Sequence, residues 1–347
     1  MSAQTNFPFP TTHPLINEAR FAVDAVRRAA LLAVQIQGQL DGAKLNKPDS
    51  SPVTMADFAI QACMGKLLQD QFPDDVLVGE ESATALRSPT GDTMRGAVTE
   101  WVRRWPSDSE FKFASARPEQ VCDWIDFGQA EPGRRFWMLD PIDGTKGFLR
   151  GQQYAVALAL MVDQEVQLGV LGCPCLTQAR FQDSQGPGSL MVALKGAGVF
   201  TAPLHGEMVF TALKTSLRSQ AAELQGLRSV ESSRSSIEKY DAILNRIGAT
   251  KAPILMDSLA KYAVVASGMA DLVLRLVSPR STRKGEYIWD VAPGALMVTE
   301  AGGQVTDLDG HALDYSAGKI LTHNRGVVAS NGKIHAQLLA AIKDEVA

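Results

Sequence analysis

The stretch that most constrains this chain is Asp140-Pro141-Ile142-Asp143-Gly144-Thr145. It follows the apolar run Phe136 to Leu139, so a buried strand is expected to end abruptly at a carboxylate. Two acids, a proline and a glycine in that order are hard to accommodate as a mere turn. Pro141 stiffens the loop, so that Asp140 and Asp143 can face a common centre with the Ile142 carbonyl beside them. Gly144 lets the backbone approach an anion closely, and a helix beginning near Thr145 would aim free N–H groups at it. The Thr145 hydroxyl could then touch a phosphate or an attacking water.

Three other places set carboxylates at the ends of regular elements. Asp57 falls in the first turn of a helix opened by Thr54, Glu80 and Glu81 follow the short apolar run Val76 to Val78, and Asp290 follows Ile288-Trp289 ahead of a helix with Pro293 near its start. If the strands are neighbours, these groups converge, and unpaired they would repel one another and lose hydration. A hard divalent cation removes both problems. Magnesium prefers oxygen ligands and keeps sites for water and phosphate oxygens. A pair of such ions, roughly 3.5–4 Å apart, could clamp both oxygens of a phosphoryl transfer. Each acid also has a plainer reading. Thr54-x-x-Asp57 is a capping box, Gly79-Glu80-Glu81-Ser82 could be a charged turn, and Asp290 could be a helix N-cap.

The rest of the chain sets bounds. With 347 residues, 45% apolar and 21% charged, it reads as an ordinary globular protein of two parts, 1–202 and 203–347. The formal net charge of -4 argues against a nucleic-acid polymer as partner. No apolar run is long enough to span a bilayer, and no secretory leader is visible, so no membrane partner is expected. Four cysteines without zinc spacing point to a reducing, cytoplasmic setting, with Cys173-Pro174-Cys175 read as buried thiols. The five histidines show no ligand spacing.

Helical spacing predicts a first helix over Phe21 to Leu40, a loop over Asp41 to Ser51, and a second helix from Thr54 to Phe72. Tyr154 to Val162 and Glu165 to Leu171 should pair around Asp163-Gln164, and Gly196 to Phe200 closes that region. The stretch near 85–135, with Trp101, Trp105 and Trp124, reads as an inserted helical cover. Beyond Pro203, strands and helices alternate: Leu227 to Glu231, Ile237 to Ile247, Ala263 to Ala270, Leu272 to Leu276, and a helix Pro293 to Ala301 stopped by Gly302-Gly303.

Together, Asp140-Pro141-Ile142-Asp143-Gly144-Thr145 and Trp289-Asp290-Val291-Ala292-Pro293-Gly294 resemble the paired signature of the inositol monophosphatase superfamily. Gly79-Glu80-Glu81-Ser82 and Pro52-Val53-Thr54-x-x-Asp57 fit the same pattern in the same order. The extension Lys146-Gly147-Phe148-Leu149-Arg150-Gly151, with Asp257-Ser258-x-Ala260-Lys261-Tyr262, resembles the 3′(2′),5′-bisphosphate nucleotidase branch. The likeness runs from about Phe21 to Ser330. It implies an α/β protein, an α+β N-terminal half and an α/β C-terminal half layered α/β/α/β/α. It also implies magnesium, roughly two or three ions, with inhibition by lithium.

By the same resemblance the metal ligands are Glu80, Asp140, the Ile142 carbonyl, Asp143 and Asp290, while Asp57 and Thr145 draw the proton from the attacking water. Gly144 and Thr145 meet the phosphate, and Ser258, Lys261 and Arg275 meet the nucleotide. The implied reaction releases the 3′-phosphate of adenosine 3′,5′-bisphosphate, with the 5′-phosphosulfate as a second substrate and sulfur metabolism as the setting. An inositol or sugar phosphate is the alternative substrate, and an anion-binding protein without catalysis is the alternative function. Two features depart from the family. Arg234 stands among Ser232, Ser233, Ser235 and Ser236 where a histidine is usual, and the loop Val277 to Tyr287 carries Arg280, Arg283 and Lys284, which suit a second phosphate or a solvated loop equally.

Overall fold

A computed structural model describes residues 7–39, 44–46, 52–106, 113–276 and 285–346. Its main strands form two sheets. In the larger, the order runs Thr211–Ala212, Gly198–Pro203, Ser189–Leu194, Glu165–Cys173, Ala155–Val162, Arg135–Asp143, Val76–Gly79. Neighbours are antiparallel except the last pair, where Val76–Gly79 runs parallel to Arg135–Asp143. The smaller sheet runs Ile254–Leu255, Gly226–Arg228, Leu272–Arg275, Val327–Ser330, Gln304–Thr306, with the first three parallel.

Strand alternation assigns each face of the larger sheet to a different core. Val156, Leu158 and Leu160 join the cluster formed with helices Ile16–Gln37 and Met55–Gln71. Ala155, Ala157 and Ala159 face the other way, onto helices Ala260–Ala266 and Ala292–Glu300. Small residues on that face let the helix Ala292–Glu300 come close; a Cβ on Gly169 would sit 3.0 Å from the Pro293 carbonyl oxygen. That helix also packs on the smaller sheet, whose far side is covered by Arg234–Arg246 and His335–Val346. The resulting layers are α/β/α/β/α, as the resemblance implies.

Several local expectations are met for visible reasons. Thr54 caps its helix, accepting from Ala56 N, while the Asp57 carboxylate takes the Thr54 backbone N–H. Asp163 (φ 51°) and Gln164 (φ 64°) are both left-handed, which suits the two-residue turn joining right-twisted strands. Gly302, at φ 93°, follows the helix Ala292–Glu300.

Others need correction. The first helix spans Ile16–Gln37, earlier than Phe21 to Leu40, because Ile16 and Ala19 already face the core. The expected loop Asp41 to Ser51 contains the strand Lys44–Asn46, paired with Pro52–Thr54. Ser189–Leu194 is a fully buried strand that the sequence reading passed over, since a short continuous apolar run carries no periodicity. The larger sheet extends to Ala212, ten residues past Ala202.

The cover near 85–135 contains helices Thr84–Arg87, Asp92–Arg103 and Pro118–Asp126. It packs on the helix Met55–Gln71, whose Gly65 admits the cover's backbone: a Cβ there would lie 2.3 Å from the Trp124 carbonyl oxygen. Gly65→Ala should therefore destabilise the protein by about 1–3 kcal/mol through overpacking. The check is urea unfolding; an unchanged midpoint would contradict the close helix contact.

Candidate metal centre and active-site cleft

Residues three apart on a regular strand point to opposite faces. Asp140 and Asp143 escape this because the strand Arg135–Asp143 bulges between them. Asp140 pairs with Ala157 and Asp143 with Ala155, so Pro141 and Ile142 together stand against the single residue Val156. Pro141, with no N–H to give the ladder, sits where the pairing is interrupted. The bulge turns both carboxylates to one side. Asp290 reaches the same point from the short 3-10 turn Ile288–Asp290 that leads into Ala292–Glu300. Carboxylate oxygens of Asp140, Asp143 and Asp290 lie within 4.8 Å of one another.

These charges are held at a cost. Burial pushes the Asp140 carboxyl well above its ordinary range, and Glu80, Asp143 and Asp290 push it further. Asp143 is raised by burial, partly opposed by Lys261, Arg275 and the Leu259 N–H. Asp290 is pushed up to about 7 by burial, against the pull of Arg275. Hard carboxylate oxygens gathered at one point, Asp140 buried and Asp143 and Asp290 half-buried, suit a divalent cation, which would favour the ionised form of all three. Glu80, beside Asp140, has its backbone N–H on the Leu139 carbonyl at 3.2 Å and completes the acidic wall.

Gly144 (φ 87°) precedes the short helix Thr145–Leu149. A side chain there would be strained and would also meet Ser258, 2.9 Å from the new Cβ. Thr145 Oγ1 donates to the Ile142 carbonyl at 3.2 Å, so these two predicted site residues are joined directly. Asp57 Oδ2 takes both the N–H and the hydroxyl of Thr54, each at 2.7 Å. The capping role is thus real, and the Thr145 hydroxyl is given to Ile142 and not to Asp57.

Beside the acids opens a cleft of about 510 Å³. Asp143, Gly144, Thr145, Ser258, Lys261 and Arg275 all line it. Lys261 donates to Ser229 Oγ at 3.0 Å, and burial pulls its ammonium down to about 8. Arg275 spans the Asp290 carbonyl (3.0 Å), the Asp290 carboxylate (3.3 Å) and Glu286 (2.7 Å). It braces a predicted ligand as well as facing the cleft. Ser232, Ser233 and Ser236 reach the cleft, but the Arg234 side chain is 93% exposed and paired with Glu238. Arg234 therefore does not stand in for a cleft histidine. Arg280, Arg283 and Lys284 lie outside the described residues.

The sequence reading missed Ser229, Glu231 and Glu286. Glu231 binds Lys146 at 2.9 Å and also Arg150, which in turn binds Asp257. No local pattern announces pairs so distant in the chain. The four cysteines are free and buried, and burial raises the Cys63 and Cys173 thiols well above their usual values. Among the described residues no helix is long and apolar enough to cross a membrane.

The inositol monophosphatase family model matches residues 15–347. A 3′(2′),5′-bisphosphate nucleotidase 2 of Candida albicans is 37% identical, over 96% of this chain and 98% of its own length. A 3′(2′),5′-bisphosphate nucleotidase of Schizosaccharomyces pombe is 38% identical, over 93% of this chain and 94% of its own. Among solved structures, an IMPase from Thermotoga maritima superposes with a TM-score of 0.66 at 21% identity, covering 95% of this chain and 98% of its own, which speaks for the fold.

The pH dependence of the metal-free protein follows from the raised carboxyls. Their folded-state values lie above the unfolded ones, so their stabilising protonation is complete near pH 4 and is lost as pH rises through about 7 for Asp290. In EDTA, the gain in Tm from Asp290→Asn should therefore grow between pH 5 and pH 8, and added Mg2+ should stabilise wild type more at pH 8. A pH-independent difference between the two proteins in melting scans would contradict this electrostatic account.

Proposed function

The chain belongs to the inositol monophosphatase family, and on that basis we propose that it is a magnesium-dependent phosphatase releasing the 3′-phosphate of adenosine 3′,5′-bisphosphate. The observation that carries this reading is the convergence of Asp140, Asp143 and Asp290 beside a cleft lined by Gly144, Thr145, Lys261 and Arg275. The names of its relatives support the nucleotide as substrate. Four unpaired cysteines suit a reducing cytosol.

In this reading Asp140, Asp143, Asp290 and Glu80, with the Ile142 carbonyl, would hold roughly two or three Mg2+ ions. When bound, the cation supplies the positive charge that offsets the phosphate and acidifies water. Gly144 and Thr145 present backbone N–H groups to the phosphate, and Gly144 leaves room for it. Asp57 would receive the proton of the attacking water by way of the Thr145 hydroxyl, which would pass its own proton to Asp57 in place of the Ile142 carbonyl that it meets in this structure. Lys261, Ser258 and Arg275 hold the part of the nucleotide that does not react. At 510 Å³ the cleft is within the usual size range for small-ligand sites.

Phosphate release from adenosine 3′,5′-bisphosphate, its 5′-phosphosulfate and inositol 1-phosphate, with and without Mg2+ and Li+, tests the substrate. Strong preference for the nucleotides, dependent on Mg2+ and lost with Li+, is expected. Preference for inositol 1-phosphate would remove the nucleotide assignment and keep the metal chemistry. Release from none of them would favour an anion-binding protein. For the base, Asp57→Asn keeps an oxygen for the Thr54 cap, so the fold should persist while kcat falls about 10²–10⁴-fold with little change in KM. Near wild-type kcat in that variant would remove Asp57 from proton transfer.

A further inference from the structure

Gln61 is fully buried in the helix Met55–Gln71, and its side chain is spent on backbone groups of other segments. Its Nε2 donates to the Glu81 carbonyl at 2.5 Å and to the Ile125 carbonyl at 3.0 Å, while Oε1 accepts from the Glu81 N–H at 2.9 Å. Two glycines make room for this amide. A Cβ on Gly79 would sit 2.6 Å from Gln61 Oε1, and a Cβ on Gly128 would sit 2.6 Å from Nε2. Neither glycine has a positive φ, so space and not backbone conformation is what requires them.

The same turn is fastened at further points. Gly79 N–H donates to the Gly128 carbonyl at 2.7 Å, Gln129 Nε2 to the Glu81 carbonyl at 2.5 Å, and Ala83 N–H to Asp126 Oδ1 at 2.8 Å. Glu80 therefore stands between two residues that are both tied to the end of the cover helix Pro118–Asp126. A carboxylate that must meet Asp140 against mutual repulsion needs a backbone that cannot drift away.

We propose that Gln61 is a positioning residue for the metal centre: it fixes the Gly79–Glu81 backbone so that Glu80 stays against Asp140, and through Ile125 it makes the 85–135 cover part of that mount. The proposal rests on the reading of the acidic cluster as a cation site and is independent of which phosphate ester is hydrolysed. It also gives the cover a function that its sequence does not announce.

The test is binding of Mn2+ alone, without substrate, followed by the electron paramagnetic resonance of the free ion, in wild type and Gln61→Leu. Loss of an outer-shell partner should weaken Mn2+ binding about 10–100-fold. The Mg2+ concentration for half-maximal phosphate release should rise by a similar factor, while KM for the substrate at saturating Mg2+ stays within about twofold. A residue that only supports the fold would lower the yield or Tm and leave the Mn2+ affinity of the folded protein alone; that result overturns the proposal. If Gln61→Leu does not fold, Gly128→Ala pushes the same amide aside while keeping Gln61, and wild-type Mn2+ affinity in it overturns the proposal equally. Failure of wild type itself to bind Mn2+ would instead remove the cation site.

Discussion

The constraint on which the structure turns is electrostatic: carboxylate oxygens of the buried Asp140 and the half-buried Asp143 and Asp290 are brought within 4.8 Å of one another. No local preference of the chain favours this. It requires a strand bulge to bring two acids to one side, a helix entry to deliver the third, and enough packing around each to withstand their repulsion. Backbone donors and cations offset part of the cost. The Leu259 N–H binds Asp143, and Arg275 leans on Asp290. The remainder is what a hard divalent cation would remove.

The layers explain how such a point is held. Asp140 and Asp143 come from the larger sheet, and Asp290 comes from the entry to a helix sandwiched between the two sheets. The alanine face of Ala155–Val162 and the bare Gly169 let that helix sit close, so the spacing between acids is set by backbone packing and not by flexible side chains. Two of the cleft's cations come from the second half of the chain, Arg275 on a strand and Lys261 at the start of Ala260–Ala266, while Lys146 comes from the helix Thr145–Leu149. The cleft is therefore built from neighbouring layers: Asp143, Gly144 and Thr145 from the larger sheet and the turn after it, Lys261 from a helix between the sheets, and Arg275 from the smaller sheet.

Much of this could be read from the residues. Asp140-Pro141-Ile142-Asp143-Gly144-Thr145 announced its acids and a break in regular structure, but the strand expected to end at Asp140 runs on through a bulge to Asp143, because the ladder resumes once Pro141 is passed. The order of acidic positions along the chain pointed to the family. What stayed hidden depends on contacts made across long separations. Gln61 is an unremarked polar residue until Glu81 and Ile125 fold against it. Glu231 is one more charge until Lys146 and Arg150 reach it. Arg234 sits at the expected place in the chain, yet its position on the helix Arg234–Arg246 turns it to solvent. Side-chain direction on a helix depends on where the helix starts, and helix starts are among the least legible features of a sequence.

The central claim is that the acids form a divalent-cation centre, and anomalous scattering from crystals grown with Mn2+ tests it most directly. A strong Mn2+ peak bounded by Asp140, Asp143 and Asp290, with Glu80 beside it, is expected, and Asp290→Asn should abolish it. Crystals saturated with Mn2+ that show no peak there, while the three carboxylates keep their separation, would contradict it.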